Sequence, residues 1–264
     1  MLTKVLVLSV IFYIGICAFM FFRQEQLLFP AHFAPKSPSE NFATFKTADG
    51  TLLESKTFLS KNKKAPNLVL FAGNAQNALL AAEVIWNSFN QRLNVYTINY
   101  RSYGNSQGKP TEENIFADSL AFTHHIAENY NNNAPVYLMG ISLGTGVASY
   151  VASQKKVDGL ILMTPFDSIE KVAAGQYPFL PVKYLIKHRF DSAYHIQTVQ
   201  APVAIIRAGE DEVIAKSRTD ALVEHIPNLA HDYTVPAMAH TEVLENRNHD
   251  LLQKVVLKAY QAIQ

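Results

Sequence analysis

Cysteine is nearly absent from this sequence of 264 residues: Cys17 is the only one. A single cysteine allows neither an intramolecular disulfide nor the spaced cysteine pairs of a structural zinc site. An excess of one charge is also lacking, because 23 Lys and Arg residues stand against 22 Asp and Glu residues, and that balance argues against a nucleic-acid partner. Neither a glycine-rich phosphate loop nor an internal repeat is present. Because 48% of the residues are hydrophobic, a globular protein with a sizeable core is expected.

The N-terminal part is one long apolar run, residues 5–22, between Lys4 and Arg23. Its roughly 18 residues make about 27 Å of helix, enough to cross a thin bilayer. A cleaved signal peptide is the alternative, but the run stays bulky to its end and offers no small-x-small cleavage site. We therefore expect residues 1–23 to be an uncleaved, single-pass transmembrane anchor and the protein to be a membrane protein. The flanking charges are too evenly distributed to set its orientation.

Two further regions follow the anchor. Residues 24–40 contain three prolines and are expected to form a tether. Residues 41–264 are expected to form one domain, which begins with a β-hairpin around the turn signal Asp49-Gly50.

Short apolar runs then alternate with helix-like stretches such as residues 78–89 and 112–130. Uninterrupted apolar runs are typical of strands buried on both faces of a parallel sheet. The runs lie at residues 68–71, 95–98, 136–139, 160–163 and 203–206. The pattern predicts an α/β fold with a mostly parallel, doubly wound sheet, preceded by the antiparallel hairpin and the transmembrane helix. Ligands of such sheets bind at the carboxyl ends of the strands.

The sequence Gly-Ile-Ser-Leu-Gly at residues 140–144 directly follows one predicted strand and leads into a predicted helix. A strand, a tight turn and a helix are the context in which a Gly-x-Ser-x-Gly motif presents a nucleophilic serine. A glycine-rich turn with an inert serine is the alternative. The context favours Ser142 as a nucleophile.

A serine becomes a strong nucleophile when a histidine accepts its proton and an acid orients that histidine. Asp211 lies in the turn after the predicted strand at residues 203–206 and is the preferred acid; Glu210 and Glu212 are its neighbours and the alternatives. His240 follows the last predicted strand, at the carboxyl edge where the site must lie. The other histidines beyond the acid are less suitable by position, and they are His225, His231 and His249.

The oxyanion of an acyl-transfer intermediate needs two backbone N–H donors. Leu143, directly after the serine, is expected to supply one of them. Asn74, in the loop after the first parallel strand, is expected to supply the other. Gly73-Asn74 also reads as an ordinary turn, and the two interpretations are compatible.

The chain resembles the single-pass α/β-hydrolase-domain proteins of the bud-emergence type through most of its length after the anchor. The segments that carry the resemblance are Gln-Leu-Leu-Phe-Pro at residues 26–30, Ala-Gly-Asn-Ala at residues 72–75 and Asn-Tyr-Arg-Ser-Tyr-Gly-Asn-Ser-Gln-Gly-Lys-Pro at residues 99–110. The resemblance implies an α/β-hydrolase fold and a catalytic triad of Ser142, Asp211 and His240. It also implies no metal or organic cofactor.

This sequence departs from the family pattern at four positions. Ala72 replaces a histidine beside the oxyanion loop, Ile141 replaces an arginine before the serine, Ser102 replaces a glycine, and Ala215 replaces a proline. The first two changes predict a more apolar site than the relatives have.

Together these features predict a membrane-anchored serine hydrolase of a carboxylic ester or thioester, with an acyl or lipid-like substrate. Ile141, Phe166 and Tyr103 are expected to line the substrate pocket. Residues 167–191 interrupt the strand alternation and are interpreted either as a partial lid or as an ordinary pair of connecting helices. A membrane-tethered scaffold without activity and a peptidase or amidase of the same fold remain alternative functions.

Overall fold

The computed structural model describes residues 1–37, 42–130, 134–244 and 249–264. The predicted border between tether and domain, at residues 40 and 41, lies outside the described residues. An eight-stranded sheet with the order β1-β2-β4-β3-β5-β6-β7-β8 forms the centre of the described part. Its strands are β1 Ala43–Lys46, β2 Leu52–Phe58, β3 Asn67–Phe71, β4 Asn94–Ile98, β5 Val136–Ile141, β6 Gly159–Met163, β7 Val203–Glu210 and β8 Leu229–Ala239.

The sheet is antiparallel at one edge and parallel elsewhere. β1 pairs with β2, and β2 with β4, in antiparallel register, whereas all pairs from β4 through β8 are parallel. The turn between β1 and β2 is closed by the Thr47 N–H, which donates to the Thr51 carbonyl at 3.0 Å. Gly50 provides the positive φ of 85° that this turn requires. The predicted fold class is confirmed.

Helices cover both faces of the sheet, so every residue of β3, β5 and β6 is buried. One apolar core lies between the sheet and α3, α4 and α7, and a second lies between the sheet and α2 and α9. The helices are α1 Leu2–Leu28, α2 Ala78–Ser88, α3 Glu112–Asn129, α4 Leu143–Gln154, α5 Ile169–Gln176, α6 Val182–Leu185, α7 Ser192–Ile196, α8 Lys216–Val223 and α9 His249–Ala262.

The α1 helix is apolar and exposed. Within the described residues, the segment Leu2–Phe33 is the one helical segment long and apolar enough to cross a membrane, and its most apolar window of 18 residues has a mean hydropathy of 2.7. The helix continues to Leu28, so the first part of the predicted tether is helical. Phe29, directly after α1, is buried, and its ring centroid lies 5.3 Å from that of His188. The end of α1 is therefore fastened to the domain.

Candidate active site

Ser142 occupies the sharp turn between β5 and α4, with φ 49° and ψ −118°. This is an unfavourable backbone conformation for a residue with a side chain. The Ser142 N–H donates to the Met163 carbonyl at 2.9 Å, which ties the turn to the neighbouring strand. A Cβ on Gly140 would collide with the Gly144 carbonyl oxygen, and a Cβ on Gly144 would collide with the Phe71 carbonyl oxygen. Both glycines are needed because α4 approaches the strands so closely.

His240 and Asp211 meet Ser142 at the carboxyl edge of the sheet. His240 Nε2 lies 2.8 Å from Ser142 Oγ, and His240 Nδ1 lies 2.9 Å from Asp211 Oδ2. Asp211 Oδ1 also accepts the N–H of Val213 at 3.0 Å and that of Ile214 at 2.7 Å. The side chains of His240 and Asp211 are each 10% exposed. This arrangement can move a proton from the serine to the histidine while the carboxylate holds the ring.

The alternative acids take other positions. Glu212 Oε2 accepts the backbone N–H of His240 at 2.9 Å, and this bond lowers the pKa of the Glu212 carboxyl. Glu212 thus holds the loop that contains His240, a role that its position in the sequence did not indicate. Glu210 is an exposed residue at the end of β7, paired in register with Ala239.

The alternative histidines occupy other places in the fold. His225 is exposed after the end of α8, and its N–H donates to the Leu222 carbonyl at 3.0 Å. His231 lies within β8, where its ring stacks on that of Tyr233. His249 opens α9, and its side chain lies outside the described residues.

The backbone N–H groups of Leu143 and Asn74 face no protein acceptor within the described part of the chain. Leu143 is the first residue of α4, so its N–H is one of the donors that a helix start leaves unsatisfied. Both groups remain available to a negatively charged oxygen next to Ser142.

The loop that contains Asn74 is held from several sides, although it lacks the histidine that Ala72 replaces. The Tyr100 hydroxyl donates to the Ala72 carbonyl at 2.9 Å, and Gln76 Oε1 accepts the Gly73 N–H at 2.8 Å. The Tyr103 hydroxyl donates to Asn74 Oδ1. Burial raises the pKa of both tyrosines, so each hydroxyl keeps its proton as a donor. The loop is rigid without the histidine.

The end of α1 holds the same loop. Asn74 Nδ2 donates to the carbonyl of Leu28 at 2.7 Å. This carbonyl belongs to the last turn of α1, where helices leave C=O groups without an intrahelical partner. The predicted anchor and the predicted oxyanion loop are therefore in direct contact.

A mostly apolar cavity of about 270 Å³ opens from Ser142. The end of α1, the segment that contains α5 and α6, and the loop after β7 form most of its walls, and the loops after β3, β5 and β6 complete them. The residues that line it are Met20, Gln24, Leu27, Leu28, Asn74, Ser142, Leu143, Phe166, Ile169, Val172, Ala173, Gln176, Tyr177, Leu180, Val182, Leu185, Ile186, Val213 and Ile214.

Of the three predicted pocket residues, Phe166 lines this cavity, whereas Ile141 and Tyr103 do not. Ile141 ends β5 and packs in the core under α2 and α9, on the opposite face of the sheet. Successive strand residues alternate between faces, which explains its position. Tyr103 is fully buried beneath the oxyanion loop. The lining of the cavity by α1 was not predicted from the sequence. The apolar pair Leu27-Leu28, which lies beyond Arg23, was the one sequence feature that could have indicated it.

Within the described ranges, no group of three or more His, Cys, Asp or Glu residues is arranged to hold a metal ion.

Comparisons with known proteins point to the α/β-hydrolase fold. A family model described as the alpha/beta hydrolase fold matches residues 66–193. An uncharacterized protein of Mycobacterium tuberculosis is 28% identical over 243 residues, covering 88% of this chain and 86% of that protein. An uncharacterized membrane protein of Saccharomyces cerevisiae is 28% identical over 193 residues, covering 70% of this chain and 67% of that protein. Among solved structures, an esterase of Pyrococcus furiosus superimposes with a TM-score of 0.65 at 14% identity, covering 88% of this chain and 97% of that chain.

Proposed function

We propose that this chain, which has the α/β-hydrolase fold, is a membrane-anchored serine hydrolase of carboxylic esters or thioesters. The observation that carries the proposal is the continuous contact from Asp211 through His240 to Ser142, with heavy-atom separations of 2.9 Å and 2.8 Å. Membrane anchoring is supported by the length and hydropathy of α1 and by a membrane protein among the relatives.

In the proposed mechanism, Ser142 Oγ attacks the acyl carbonyl while His240 Nε2 takes its proton. The N–H groups of Leu143 and Asn74 stabilise the oxyanion of the tetrahedral intermediate. His240 then protonates the leaving alcohol or thiol, and an acyl-enzyme remains. Water hydrolyses the acyl-enzyme by the same steps, with His240 again as the base. Asp211 keeps the ring in the required tautomer and stabilises its positive charge.

The substrate class follows from the cavity next to Ser142. Its walls are mainly Leu, Ile, Val, Ala and aromatic side chains, with Gln24, Gln176 and Asn74 as polar exceptions. Such a lining favours an apolar acyl group over a sugar or a charged group. The substrate of the proposed reaction is therefore a small-molecule or lipid-like acyl ester or thioester.

A fluorophosphonate probe tests the reaction, since it forms a covalent bond to an activated serine. The full-length protein in detergent should be labelled, and Ser142→Ala should not be. A wild type that resists labelling would favour the scaffold alternative. An amidase would cleave an acyl nitroanilide faster than the nitrophenyl ester of the same acyl group, and that result would favour the amidase alternative.

Alkaline carbonate extraction tests the anchor. The full chain should stay in the membrane pellet, because a transmembrane helix resists extraction whereas a peripheral protein is released. Recovery in the supernatant would contradict the anchor.

A further inference from the structure

We propose that α1 is a wall of the acyl-binding site as well as an anchor, and that the acyl chain enters this site sideways from the bilayer, between α1 and the segment of α5 and α6. The inference rests on the proposed function and names its substrate class: a long-chain acyl ester or thioester that resides in the membrane.

The α1 helix forms part of the cavity wall. Met20, Gln24 and Leu27 of α1 line the same cavity as Ser142. Met20 belongs to the apolar run expected to lie in the bilayer, whereas Leu27 lies beyond Arg23. One continuous wall therefore leads from the membrane-spanning part of α1 to the nucleophile, and an acyl chain can follow it without crossing water.

The α1 helix is also bound to the opposite wall of the cavity. The Gln24 side chain bridges the two walls: its Nε2 donates to the Leu185 carbonyl at 3.0 Å, and its Oε1 accepts the Lys187 N–H at 2.7 Å. The Lys187 ammonium lies 4.5 Å from the centroid of the Phe21 ring. These contacts fix α1 against the α6 end of the cavity, so α1 has a defined place in the site.

The loop between α5 and α6 contacts α1 within its apolar run. The Tyr13 hydroxyl donates to the Phe179 carbonyl at 2.9 Å. Tyr13 precedes Arg23 by ten residues, which corresponds to about 15 Å of helix, or about half of a 30 Å hydrocarbon core. If α1 spans a bilayer, the loop at residues 177–181 reaches into the acyl-chain region.

The loop is suited to that environment. Its sequence is Tyr-Pro-Phe-Leu-Pro, without a charge, and the Phe179 side chain is 61% exposed. Pro178 and Pro181 have no N–H, and the N–H groups of Tyr177 and Leu180 donate within the chain at 2.8 Å and 3.0 Å. A loop in hydrocarbon must satisfy its backbone polar groups internally, and most of this loop does so.

Charged residues lie on both sides of the loop, away from its tip. Glu170 and Lys171 stand at the start of α5, before the loop, and Lys183 and Lys187 follow it on the stretch that returns toward Gln24. The long side chains of the lysines can reach the headgroup level. Ser142 lies at the Leu28 end of α1, beyond Arg23. A bound ester would therefore have its carbonyl at the level of the headgroups and its acyl chain along α1 in the bilayer.

Lipid quenching tests the depth of the loop without any need for activity. Trp86 is the only tryptophan of the chain, so Phe179→Trp in a Trp86→Phe background reports on the loop alone. In vesicles, phosphatidylcholine brominated on its acyl chains should quench this fluorescence. Tyr194→Trp in the same background is the control, because Tyr194 is 69% exposed on α7, apart from α1 and the cavity. Quenching of the Phe179→Trp protein no stronger than that of the control would overturn the inference.

Activity in vesicles tests the route of the substrate. The full-length protein, reconstituted in phosphatidylcholine vesicles, is given nitrophenyl acetate in water and, in separate arms, a bilayer-resident diacylglycerol or an S-palmitoyl transmembrane peptide. Turnover of either membrane substrate supports the inference, and the two arms distinguish a lipid from an acylated protein as its source. Turnover of neither, with the acetate cleaved, overturns it.

The variants separate the two proposals. Phe179→Asp places a charge in the bilayer outside the cavity and should lower turnover of the membrane substrate about tenfold, with acetate turnover unchanged. Tyr194→Asp should change neither. Equal turnover of the membrane substrate by Phe179→Asp and the wild type would overturn lateral entry, whereas a wild type that neither cleaves acetate nor reacts with the fluorophosphonate would overturn the proposed function itself.

Discussion

Replacing Asp211 by asparagine is the sharpest test of the proposed triad, because the surroundings of this residue determine which way the new amide turns. Asp211 Oδ1 accepts the N–H groups of Val213 and Ile214, at 3.0 Å and 2.7 Å. The amide oxygen of the variant should keep both bonds. The amide nitrogen then takes the place of Oδ2, which lies 2.9 Å from His240 Nδ1.

In that orientation the amide nitrogen can donate to Nδ1, which favours the tautomer with the ring proton on Nε2, although the amide oxygen, in the place of Oδ1, also lies 3.0 Å from Nδ1. Nε2 faces Ser142 Oγ at 2.8 Å and, once protonated, cannot accept the serine proton. The productive tautomer turns the Nδ1 proton toward the amide N–H, which then loses its acceptor at a cost of about 1–3 kcal/mol. The carboxylate charge that stabilises the imidazolium is also lost. We therefore expect kcat/KM to fall about 10³-fold, equivalent to about 4 kcal/mol.

The assay is kcat/KM for nitrophenyl acetate with the full-length protein in detergent, together with the rate of fluorophosphonate labelling. Both should fall in parallel, while the unfolding temperature stays close to that of the wild type. Glu212→Gln is the matched control, because the glutamine can still accept the His240 N–H, and its rate should stay within about threefold of the wild type. A loss below about tenfold in Asp211→Asn, or an equal loss in Glu212→Gln, would refute the assignment of Asp211 as the orienting acid.

Three further predictions concern the scaffold of the site. Gly144→Ala should lower the free energy of unfolding by about 1–3 kcal/mol in urea titrations, since its Cβ would collide with the Phe71 carbonyl. Gly175→Ala is the control and should be neutral or stabilising, because a Cβ there meets nothing within 4 Å. Equal effects of the two substitutions would contradict the close approach of α4 to the strands. Ser142→Gly should unfold at a higher temperature than Ser142→Ala, because glycine tolerates the φ of 49°; identical temperatures would argue against a strained turn. Burial lowers the pKa of His188, so the unfolded state binds a proton at a higher pH than the folded state does. The free energy of unfolding should therefore fall as pH drops below about 6.5. His188→Asn should reduce this dependence on pH, and an unchanged dependence would contradict the contribution of His188.

Much of the fold could be predicted because its signals are local. The apolar run at residues 160–163 corresponds to β6, and the run at residues 203–206 to the first half of β7. The carboxyl ends of parallel strands meet at one edge of a sheet, so Ser142, Asp211 and His240 could be placed together from their positions after strands. The pocket could not be predicted in the same way. Ile141 is adjacent to the serine in sequence, yet it faces the other side of the sheet.

By itself, the sequence determined the α/β alternation, the turn at Ser142, the order of acid and histidine, and an apolar N-terminal helix. Each of these features depends on residues that are close together in the chain, through the periodicity of strands and helices and through the backbone conformations that glycine allows. Only the tertiary structure decided that α1 lines the cavity next to Ser142. The contacts of Gln24 with Leu185 and of Leu28 with Asn74 join residues separated in sequence by 161 and 46 positions. No local pattern encodes such pairs, because they form only when the domain has packed and α1 is held against it.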